Sequence, residues 1–456
     1  MTHSFRTAAL AGAVIAALGL SATAAAGGRP DLVLAGLKAG RAHQIDEIIV
    51  KYRDGTSAAE QTAVRQGLGA NKGQTVRGGN AKQGEVALLK LPAGVGVAAA
   101  VRALANDPAI EYVEPNWIYQ HAASSNDTYS INGSLWGMYS GTSSPANQYG
   151  SQAANAWAAG HTDCSNVVVG VIDEGIFYNH EDLAANIWIN PFDAVDGADN
   201  DNNGYADDIR GWNFVDNNNE IFKAGGDNHG SHVSGTIAGV GGNGKGVAGV
   251  CWSGVKIISG KFLGTNGGTT ANAILAVDYM TDLKTRHNLN LVATNNSWGG
   301  GGFSQGLYDA IQRANAASIL FIAAAGNSGA DNDATPSYPA SYGNSNIIAV
   351  AALVKDGTLA SYSQYGATSV DICAPGSAIY SSVSVRSKGK FVSGYASYSG
   401  TSMATPHVTG AAALYKSSHS GATAADVKAA LMGSATATTS CNGKVVSNGR
   451  LNVTGF

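Results

Sequence analysis

The sequence has little charge, few cysteines and few long apolar runs, and each shortage excludes a class of protein. Only 13% of the 456 residues are charged while 44% are hydrophobic, so no long stretch has the composition of a disordered chain. The four cysteines form no Cys-x-x-Cys pair, which argues against a zinc or redox site. Beyond the first residues no segment is long and apolar enough for a membrane helix, so we expect no membrane partner.

The first 26 residues have the pattern of an export signal. Arg6 supplies a positive charge, residues 7–20 form a short apolar run, and residues 24–26 are small enough for cleavage. The run is shorter than the roughly 18–20 residues that a membrane span needs. The pattern therefore predicts a signal peptide over residues 1–26 and a secreted protein.

The cysteines bear on stability outside the cell. Their positions are widely spaced and all lie beyond residue 160: Cys164, Cys251, Cys373 and Cys441. An even number in an exported protein predicts two disulfides. Three pairings are open on sequence alone, and four buried free thiols are the alternative.

Residues 27–122 form a segment with its own pattern of strands and helices. We predict strands near residues 48–50, 86–91 and 110–119, and helices over residues 57–68 and 95–105. This alternation is typical of a small α+β module. The small and polar residues at 121–125 that end it indicate a processing site or a linker.

The charge balance changes at the same place. Of the 28 Lys+Arg and 32 Asp+Glu in the chain, the first 122 residues hold 12 and 9, which leaves 16 and 23 for residues 123–456. The larger part is therefore acidic, which argues against nucleic acid and anionic membranes as partners.

Residues 123–456 have an α/β pattern. Short β-branched runs are typical of parallel strands buried on both faces, and they occur at residues 167–172, 255–259, 291–294, 319–323 and 347–351. Helical segments lie between them, for example at residues 270–285 and 305–317. We predict a doubly wound, largely parallel sheet with flanking helices.

Three segments place a reactive side chain beside small residues. Asp173 ends a predicted buried strand, His229 opens a helix, and Ser402 lies in Gly-Thr-Ser-Met-Ala-Thr-Pro-His-Val at another strand-to-helix turn. A serine hydroxyl becomes a nucleophile when an imidazole accepts its proton, and a carboxylate holds that imidazole in the required tautomer. The chain order Asp, His, Ser is the one found in subtilisins.

On these motifs, residues 125–456 resemble the subtilisin-like serine proteases, and residues 45–120 resemble the inhibitor-type propeptide of many members. The resemblance implies a signal peptide at 1–26, a ferredoxin-like propeptide at 27–122 and a peptidase domain at 123–456. Two residues depart from the family pattern: Glu174 replaces Ser or Thr, and Ser231 replaces Thr. Because side chains alternate along a strand, we expect Glu174 to point away from Asp173.

The resemblance also assigns the oxyanion hole and the substrate-binding segments. Asn327, after the predicted strand at 319–323, matches the asparagine that binds the oxyanion together with the backbone N–H of Ser402. Glycine-rich segments that match those flanking an extended substrate contain Gly267, Gly268, Ser297, Trp298 and Gly299. These glycines could instead serve only to turn loops.

Small residues at Gly299, Ala324 and Ser337 predict a first specificity pocket that accepts large side chains. No acidic residue in these segments would select Lys or Arg. We therefore expect broad specificity with an apolar or aromatic preference before the scissile bond.

An acidic loop runs from Asp173 to Asp227, and counting both of these residues it has 13 acidic residues and two basic ones. Within it, Asp199, Asp201, Asn203 and Asp207 have the spacing of the first ligands of an EF-hand, but Arg210 at the twelfth position excludes a complete one. We predict structural calcium there, with a solvated polar loop as the alternative. A second calcium site, by resemblance, would use Asp182 and Asn243.

Taken together, the sequence predicts a secreted, monomeric serine endopeptidase that acts on proteins and peptides. It is made as an autoprocessed zymogen, with the propeptide as intramolecular inhibitor and folding aid, and its catalysis needs no cofactor. The alternative from a different class is a calcium-stabilised secreted binding protein on an inactive protease scaffold. The complete set of Asp173, His229, Ser402 and Asn327 argues against that alternative.

Overall fold

The computed structural model describes residues 29–38, 43–79, 83–117, 124–223 and 227–456. The chain divides into two compact units, Met1–Tyr119 and Gln120–Phe456. The predicted signal peptide lies outside the described residues, as does most of the predicted processing region. None of the helices in the described part of the chain combines the length and hydropathy needed to cross a membrane.

The first unit is built on a four-stranded antiparallel sheet with the order β2-β3-β1-β4. Its elements are α1 Pro30–Lys38, β1 His43–Tyr52, α2 Ala58–Leu68, β2 Asn71–Arg77, β3 Val86–Lys90, α3 Val97–Leu104 and β4 Ile110–Trp117. From β1 to β4 this is the ferredoxin-like arrangement that we predicted.

Local signals explain the ends of α2. Ser57 and Glu60 form a reciprocal capping box at its start, and Gly69 ends it in the left-handed region with φ 63°. Apolar residues of β1 and β3, such as Val50 and Leu89, are fully buried in the core of this unit. The strand β2 and the helix α1 were not predicted.

The second unit contains a nine-stranded sheet with the order β14-β15-β11-β10-β9-β8-β5-β7-β6. Its strands are β5 Val168–Asp173, β6 Gly211–Asn213, β7 Lys256–Lys261, β8 Leu291–Asn296, β9 Leu320–Ala324, β10 Ile347–Leu353, β11 Ile372–Pro375, β14 Thr436–Ala437 and β15 Gly449–Arg450. All pairs from β6 to β15 across the sheet are parallel, and β14 pairs antiparallel with β15. Two further strands, β12 Ile379–Ser387 and β13 Lys390–Tyr398, form a separate hairpin.

Helices cover both faces of this sheet, as a doubly wound fold requires. They are α4 Thr128–Ile131, α5 Ala153–Ala158, α6 Asn228–Ala238, α7 Thr270–His287, α8 Gln305–Ala316, α9 Thr401–Ser418 and α10 Ala424–Gly433, with 3-10 turns at Trp136–Met138, Ala184–Asn186 and Thr439–Cys441. The strand β5 sends Val169 and Val171 into the core on one face, and Val168 and Ile172 into the core on the other. The predicted α/β fold is confirmed.

The order of the central strands determines where polar side chains meet. Because β9, β8, β5 and β7 are parallel neighbours, their carboxyl ends lie along one edge of the sheet. Asp173 is the last residue of β5, Ser297 follows β8 directly, and Asn327 lies just after β9. The helices α6 and α9, which carry His229 and Ser402 in their first turns, pack against each other.

Two disulfides join the four cysteines, Cys164 to Cys251 and Cys373 to Cys441, and the structure leaves no described cysteine free. The prediction of two disulfides is confirmed. The second one ties β11, inside the sheet, to the turn before the last strand.

We predict that the Cys373→Ala/Cys441→Ala variant folds but is less stable. The bridge closes a loop with a sequence separation of 68 residues, and freeing such a loop costs roughly 2–4 kcal/mol, mainly through the entropy of the unfolded chain. Thermal and denaturant unfolding of both proteins would measure this, with Ser402→Ala added to each to prevent self-digestion. Equal unfolding free energies would contradict the prediction.

Candidate active site

Asp173 and His229 form a hydrogen-bonded pair at the carboxyl edge of the sheet. The Nδ1 of His229 lies 2.9 Å from Oδ1 and 3.1 Å from Oδ2 of Asp173. Asp173 is almost fully buried, while His229 remains partly open to solvent. A carboxylate on Nδ1 leaves Nε2 of the neutral ring as the proton acceptor, which is the tautomer that a general base needs.

The electrostatic surroundings favour a protonated His229 during a reaction. Burial lowers the pKa of His229, but the charge and hydrogen bond of Asp173, together with the charge of Glu174, outweigh it and raise the pKa above its ordinary value. A base with a raised pKa accepts a proton more readily, so this pair can take the proton of a hydroxyl group.

Ser402 is held by reciprocal bonds to the segment that follows β8. Its hydroxyl donates to the carbonyl of Ser297 over 3.1 Å, and the hydroxyl of Ser297 donates to the carbonyl of Ser402 over 2.8 Å. In this conformation no hydrogen bond among the described residues joins Ser402 to His229. Such nucleophile–base bonds commonly tighten only when substrate is present.

Asn327 is oriented by the residue before Ser402. Its Oδ1 accepts the backbone N–H of Thr401 over 2.8 Å and the hydroxyl of Thr401 over 3.1 Å. Since both partners are donors, this atom is the amide oxygen, and Nδ2 must face the other way. A β-carbon built at Gly400 would lie 3.6 Å from both Nδ2 and Oδ1 of Asn327 and 3.7 Å from the backbone N of Ser402. The Asn327 amide and the backbone N–H of Ser402 therefore lie near each other at the positive end of α9.

The two segments assigned to substrate binding are in contact through their aromatic residues. The rings of Phe262 and Trp298 meet edge to face with centroids 4.7 Å apart. On the first segment, a β-carbon at Gly268 would lie 2.6 Å from the carbonyl oxygen of Phe262, so only glycine fits there. On the second, the N–H of Gly300 donates to the carbonyl of Tyr338, which places Gly299 beside residues 337–338.

Two family comparisons cover the two units. Residues 164–455 match the Subtilase family of peptidases, and residues 34–116 match the fervidolysin N-terminal prodomain. The chain belongs to the subtilase family. The resemblance inferred from the motifs is thereby confirmed, and the enzyme is a subtilisin-like serine proteinase with an N-terminal prodomain.

Individual subtilases show the same relationship. The chain is 32% identical over 372 residues to a thermophilic serine proteinase of Bacillus sp. (strain AK1), which covers 81% of this chain and 78% of the relative. It is 33% identical over 415 residues to an extracellular protease of Xanthomonas campestris pv. campestris, which covers 85% and 67%. A solved structure of proteases from Pseudoalteromonas arctica PAMC 21717 aligns with a TM-score of 0.56 and 27% identity, over 73% of this chain and 98% of that chain.

The other histidines near the site of this subtilase are structural. His180 and His232 contact backbone carbonyls through Nε2, and His407 contacts the carbonyl of Met403 through Nδ1. Burial lowers the pKa of His232 to about 3 and that of His407 to about 4. Both rings are therefore neutral at physiological pH.

The acidic loop brings together only part of the set predicted to bind calcium. Asp199 and Asp201 both accept the backbone N–H of Asn203 through Oδ1, so their carboxylates face the same point. Asp207 does not join them, because its Oδ1 accepts the N–H groups of Asp196 and Gly197. Within the described residues, no three His, Cys, Asp or Glu side chains gather as a metal site.

Carboxylate oxygens of both predicted calcium sites already have hydrogen-bond partners within the protein. The second carboxylate oxygen of Asp201 lies 2.7 Å from Nε2 of His287. The other predicted pair is brought together, since Asn243 Nδ2 donates to Asp182 Oδ1 over 2.8 Å. The remaining oxygen of Asp182 accepts the N–H of Val247 and the hydroxyl of Tyr395.

Two side chains important for the site were missed by sequence reasoning. Glu174 accepts the backbone N–H of His229, although alternation along β5 predicted that it would point away. Lys261 is buried against Asp227, with Nζ 2.8 Å from Oδ1 and only 2% and 7% of the two side chains exposed. The sequence did contain a signal for Lys261, because a lysine ends the largely apolar strand β7 shortly before the substrate-binding segment.

We predict that Thr401→Val lowers kcat by about fivefold with a smaller effect on KM, because the hydroxyl that orients Asn327 is lost and one hydrogen bond of this kind is worth ~1 kcal/mol. The fully buried hydroxyl also accepts the N–H of Gly326 over 3.1 Å. Thr401→Ser keeps the hydroxyl and is the matched control. Steady-state kinetics on a peptide p-nitroanilide would measure both variants, and an unchanged kcat in Thr401→Val would show that Asn327 needs no such support.

Proposed function

We propose that this subtilase is a secreted endopeptidase that hydrolyses peptide bonds through an acyl-enzyme on Ser402. The observations that carry the proposal are the Asp173–His229 pair, whose helix α6 packs against α9, and the Asn327 amide that Thr401 orients in the first turn of α9. These are the general base and the oxyanion donor that acyl transfer requires.

The reaction proceeds in two halves. His229 Nε2 takes the hydroxyl proton as Ser402 Oγ bonds to the scissile carbonyl carbon, and Asn327 Nδ2 with the N–H of Ser402 holds the resulting oxyanion. The protonated His229, stabilised by Asp173, then gives its proton to the leaving amine as the C–N bond breaks. Water attacks the acyl-enzyme by the same route, which releases the acid and restores Ser402.

Specificity follows from the two segments in contact at Phe262 and Trp298. A substrate strand would pair with the backbone of Gly267–Gly268 on one side and Ser297–Gly299 on the other, so affinity comes largely from main-chain hydrogen bonds. Gly299, Ala324 and Ser337 are small, and they would line a pocket for a large side chain. We infer broad specificity with an apolar or aromatic preference.

The N-terminal unit acts as the propeptide of this enzyme. Its ferredoxin-like fold and its match to a protease prodomain support a role as intramolecular inhibitor and folding aid. A large parallel sheet has mostly non-local contacts and folds slowly, which gives a physical reason for such help. We infer that the monomeric enzyme cuts its own chain near residues 122–126, after export and removal of residues 1–26. The extracellular protease among its relatives supports secretion.

Calcium is a general ligand of subtilases, and the acidic loop is the segment of this chain with suitable oxygen atoms. The carboxylates of Asp199 and Asp201 face the same point and would hold a hard cation, while Asn203 Oδ1 accepts the N–H of Tyr205 and Asp207 is directed elsewhere. Burial raises the pKa of Asp199, but the N–H groups of Gly204 and Asn203 outweigh it and lower the pKa overall, which keeps this ligand ionised. We infer a stabilising role for calcium.

The Ser402→Ala precursor should remain uncut and fail to hydrolyse casein, because no other group supplies the nucleophile. The parent should give a mature species beginning near residues 122–126 and should digest casein. Intact mass and casein hydrolysis measure both. Ser420 is exposed and lies just after the carboxyl end of α9. Ser420→Ala is the matched control and should behave as the parent. If the parent is also inert, the inactive-scaffold alternative is favoured.

Asp199→Asn/Asp201→Asn should bind one calcium ion fewer than the parent in titration calorimetry, because two charged ligands are lost. At a free calcium concentration of about one hundred times the Kd, one occupied site adds about 3 kcal/mol to the free energy of unfolding. Addition of a chelator should therefore lower the Tm of the parent more than that of the variant. Asp309→Asn on α8 is the control, and equal calcium stoichiometry in all three proteins would exclude the acidic loop as a site.

A further inference from the structure

The residue after Asp173 has bonds to both members of the Asp173–His229 pair. The backbone N–H of Glu174 donates to Asp173 Oδ1 over 2.8 Å, and its side-chain Oε1 accepts the backbone N–H of His229 over 2.5 Å. The family pattern usually has Ser or Thr at this position, and those shorter side chains carry no carboxylate that could reach the start of α6.

The start of α6 needs an acceptor from outside the helix. The first N–H groups of a helix have no partner within it, and the residue that precedes the helix usually supplies one. Asp227 stands there but makes no such cap. Its Oδ1 accepts from Lys261 Nζ over 2.8 Å, and its Oδ2 accepts the backbone N–H of Lys223. Glu174 supplies the acceptor instead, together with a negative charge at the positive end of the helix.

The backbones of the two segments are close enough to hold this bond rigidly. A β-carbon at Gly175 would lie 2.4 Å from the carbonyl oxygen of Ile221, and one at Gly230 would lie 2.2 Å from the carbonyl oxygen of Gly175. Gly175 also has φ 115°, which disfavours other residues. Gly175 and Gly230 therefore allow the backbones to approach so closely that no side chain would fit at either position. This close approach brings residues 174 and 229 together.

We propose that Glu174 is a positioning residue for the general base, whose carboxylate fixes the backbone of His229 at the start of α6 and places a second negative charge beside its imidazole. The inference rests on the proposed role of His229. Its distinct claim is that the reaction depends on a carboxylate at position 174, which the Ser or Thr of the family pattern would not provide.

Several charged and titratable groups face Glu174. Asp173 precedes it, Asp227 and His229 belong to the start of α6, and Tyr398 lies on β13, while Lys261 on β7 donates to its backbone carbonyl. Burial raises the pKa of Glu174 and the bond from His229 lowers it, with a net rise. In return, Glu174 adds to the effect of Asp173 in raising the pKa of His229.

The expected effect on the pH profile has a definite sign. His229 must be neutral to accept a proton, so kcat/KM falls as pH drops through its pKa. Glu174→Gln keeps an oxygen to accept the N–H but removes the charge, so the pKa of His229 should fall. The acidic limb should then move to lower pH by roughly half a unit, the scale of one neighbouring charge in a polar setting, while the plateau of kcat/KM changes little.

Glu174→Ala removes the acceptor as well as the charge. Here kcat should drop about tenfold across the whole pH range, because a charge-assisted hydrogen bond to the backbone of the base is lost. KM should change less, since the Glu174 carboxylate bonds to the backbone of His229. The return of kcat in Glu174→Gln, with a shifted acidic limb, is the result that a merely structural role would not produce.

The experiment uses mature enzyme obtained from each full-length precursor, with kcat/KM on a peptide p-nitroanilide measured from acidic to alkaline pH. Glu220→Gln is the matched control, because it removes the same charge from an exposed side chain of the same unit. An acidic limb of Glu174→Gln that coincides with those of the parent and the control overturns the proposal, even if Glu174→Ala does not fold. A parent without activity would instead refute the proposed function.

Discussion

The buried ammonium group of Lys261 is the contact on which the geometry of the active site depends. Lys261 ends β7 directly beside Asp173 in the parallel register, and all three of its N–H donors are used, by the carbonyls of Glu174 and Leu263 and by the carboxylate of Asp227. These acceptors belong to the end of the Asp173 strand, the loop that leads from β7 to the substrate-binding segment at Gly267–Gly268, and the residue before α6. The fully hydrogen-bonded ammonium group of Lys261 thus joins three parts of the site. Removing either member of a buried pair such as Lys261–Asp227 typically costs ~3–5 kcal/mol of folding free energy.

The bond between Asp227 and Lys261 affects His229, the proposed general base. An aspartate before a helix ordinarily caps it, but here its carboxylate is occupied by Lys261, so the first turn of α6 draws its acceptor from Glu174. The same turn carries His229, whose imidazole is held by Asp173. The backbone and the ring of the base are therefore both held by neighbouring carboxylates on one strand end. Ser402 and Asn327 are held separately, through Ser297 and Thr401, so the two halves of the site are supported by different parts of the sheet.

The strands and helices that could be predicted from the sequence are those with apolar residues in a regular pattern. The β-branched run of β5 forms the predicted buried strand, and the helix predicted over residues 57–68 begins at a capping box, which is also a local signal. The strand β2 was missed because all seven of its residues are exposed and most are polar, so no alternation marks it. The hairpin of β12 and β13 was missed for a related reason, since β13 has no buried residue. The partner of each is the neighbouring strand in sequence, with Arg77 opposite Val86 and Ser387 opposite Lys390, so these elements lacked an apolar pattern rather than a nearby partner.

Asp173, His229, Ser402 and Asn327 could be proposed as site residues from sequence because motif residues keep their chemistry wherever the fold places them. Glu174 could not, and the reason is geometric. Alternation of side chains holds only while the backbone remains a strand, and β5 ends at Asp173. At Gly175 the chain turns with a positive φ towards the start of α6. The direction of the Glu174 side chain is therefore set by this turn and not by the alternation of the strand. A pattern read from a strand is least reliable at its last residue, and in a parallel sheet that is the position where the reactive groups collect.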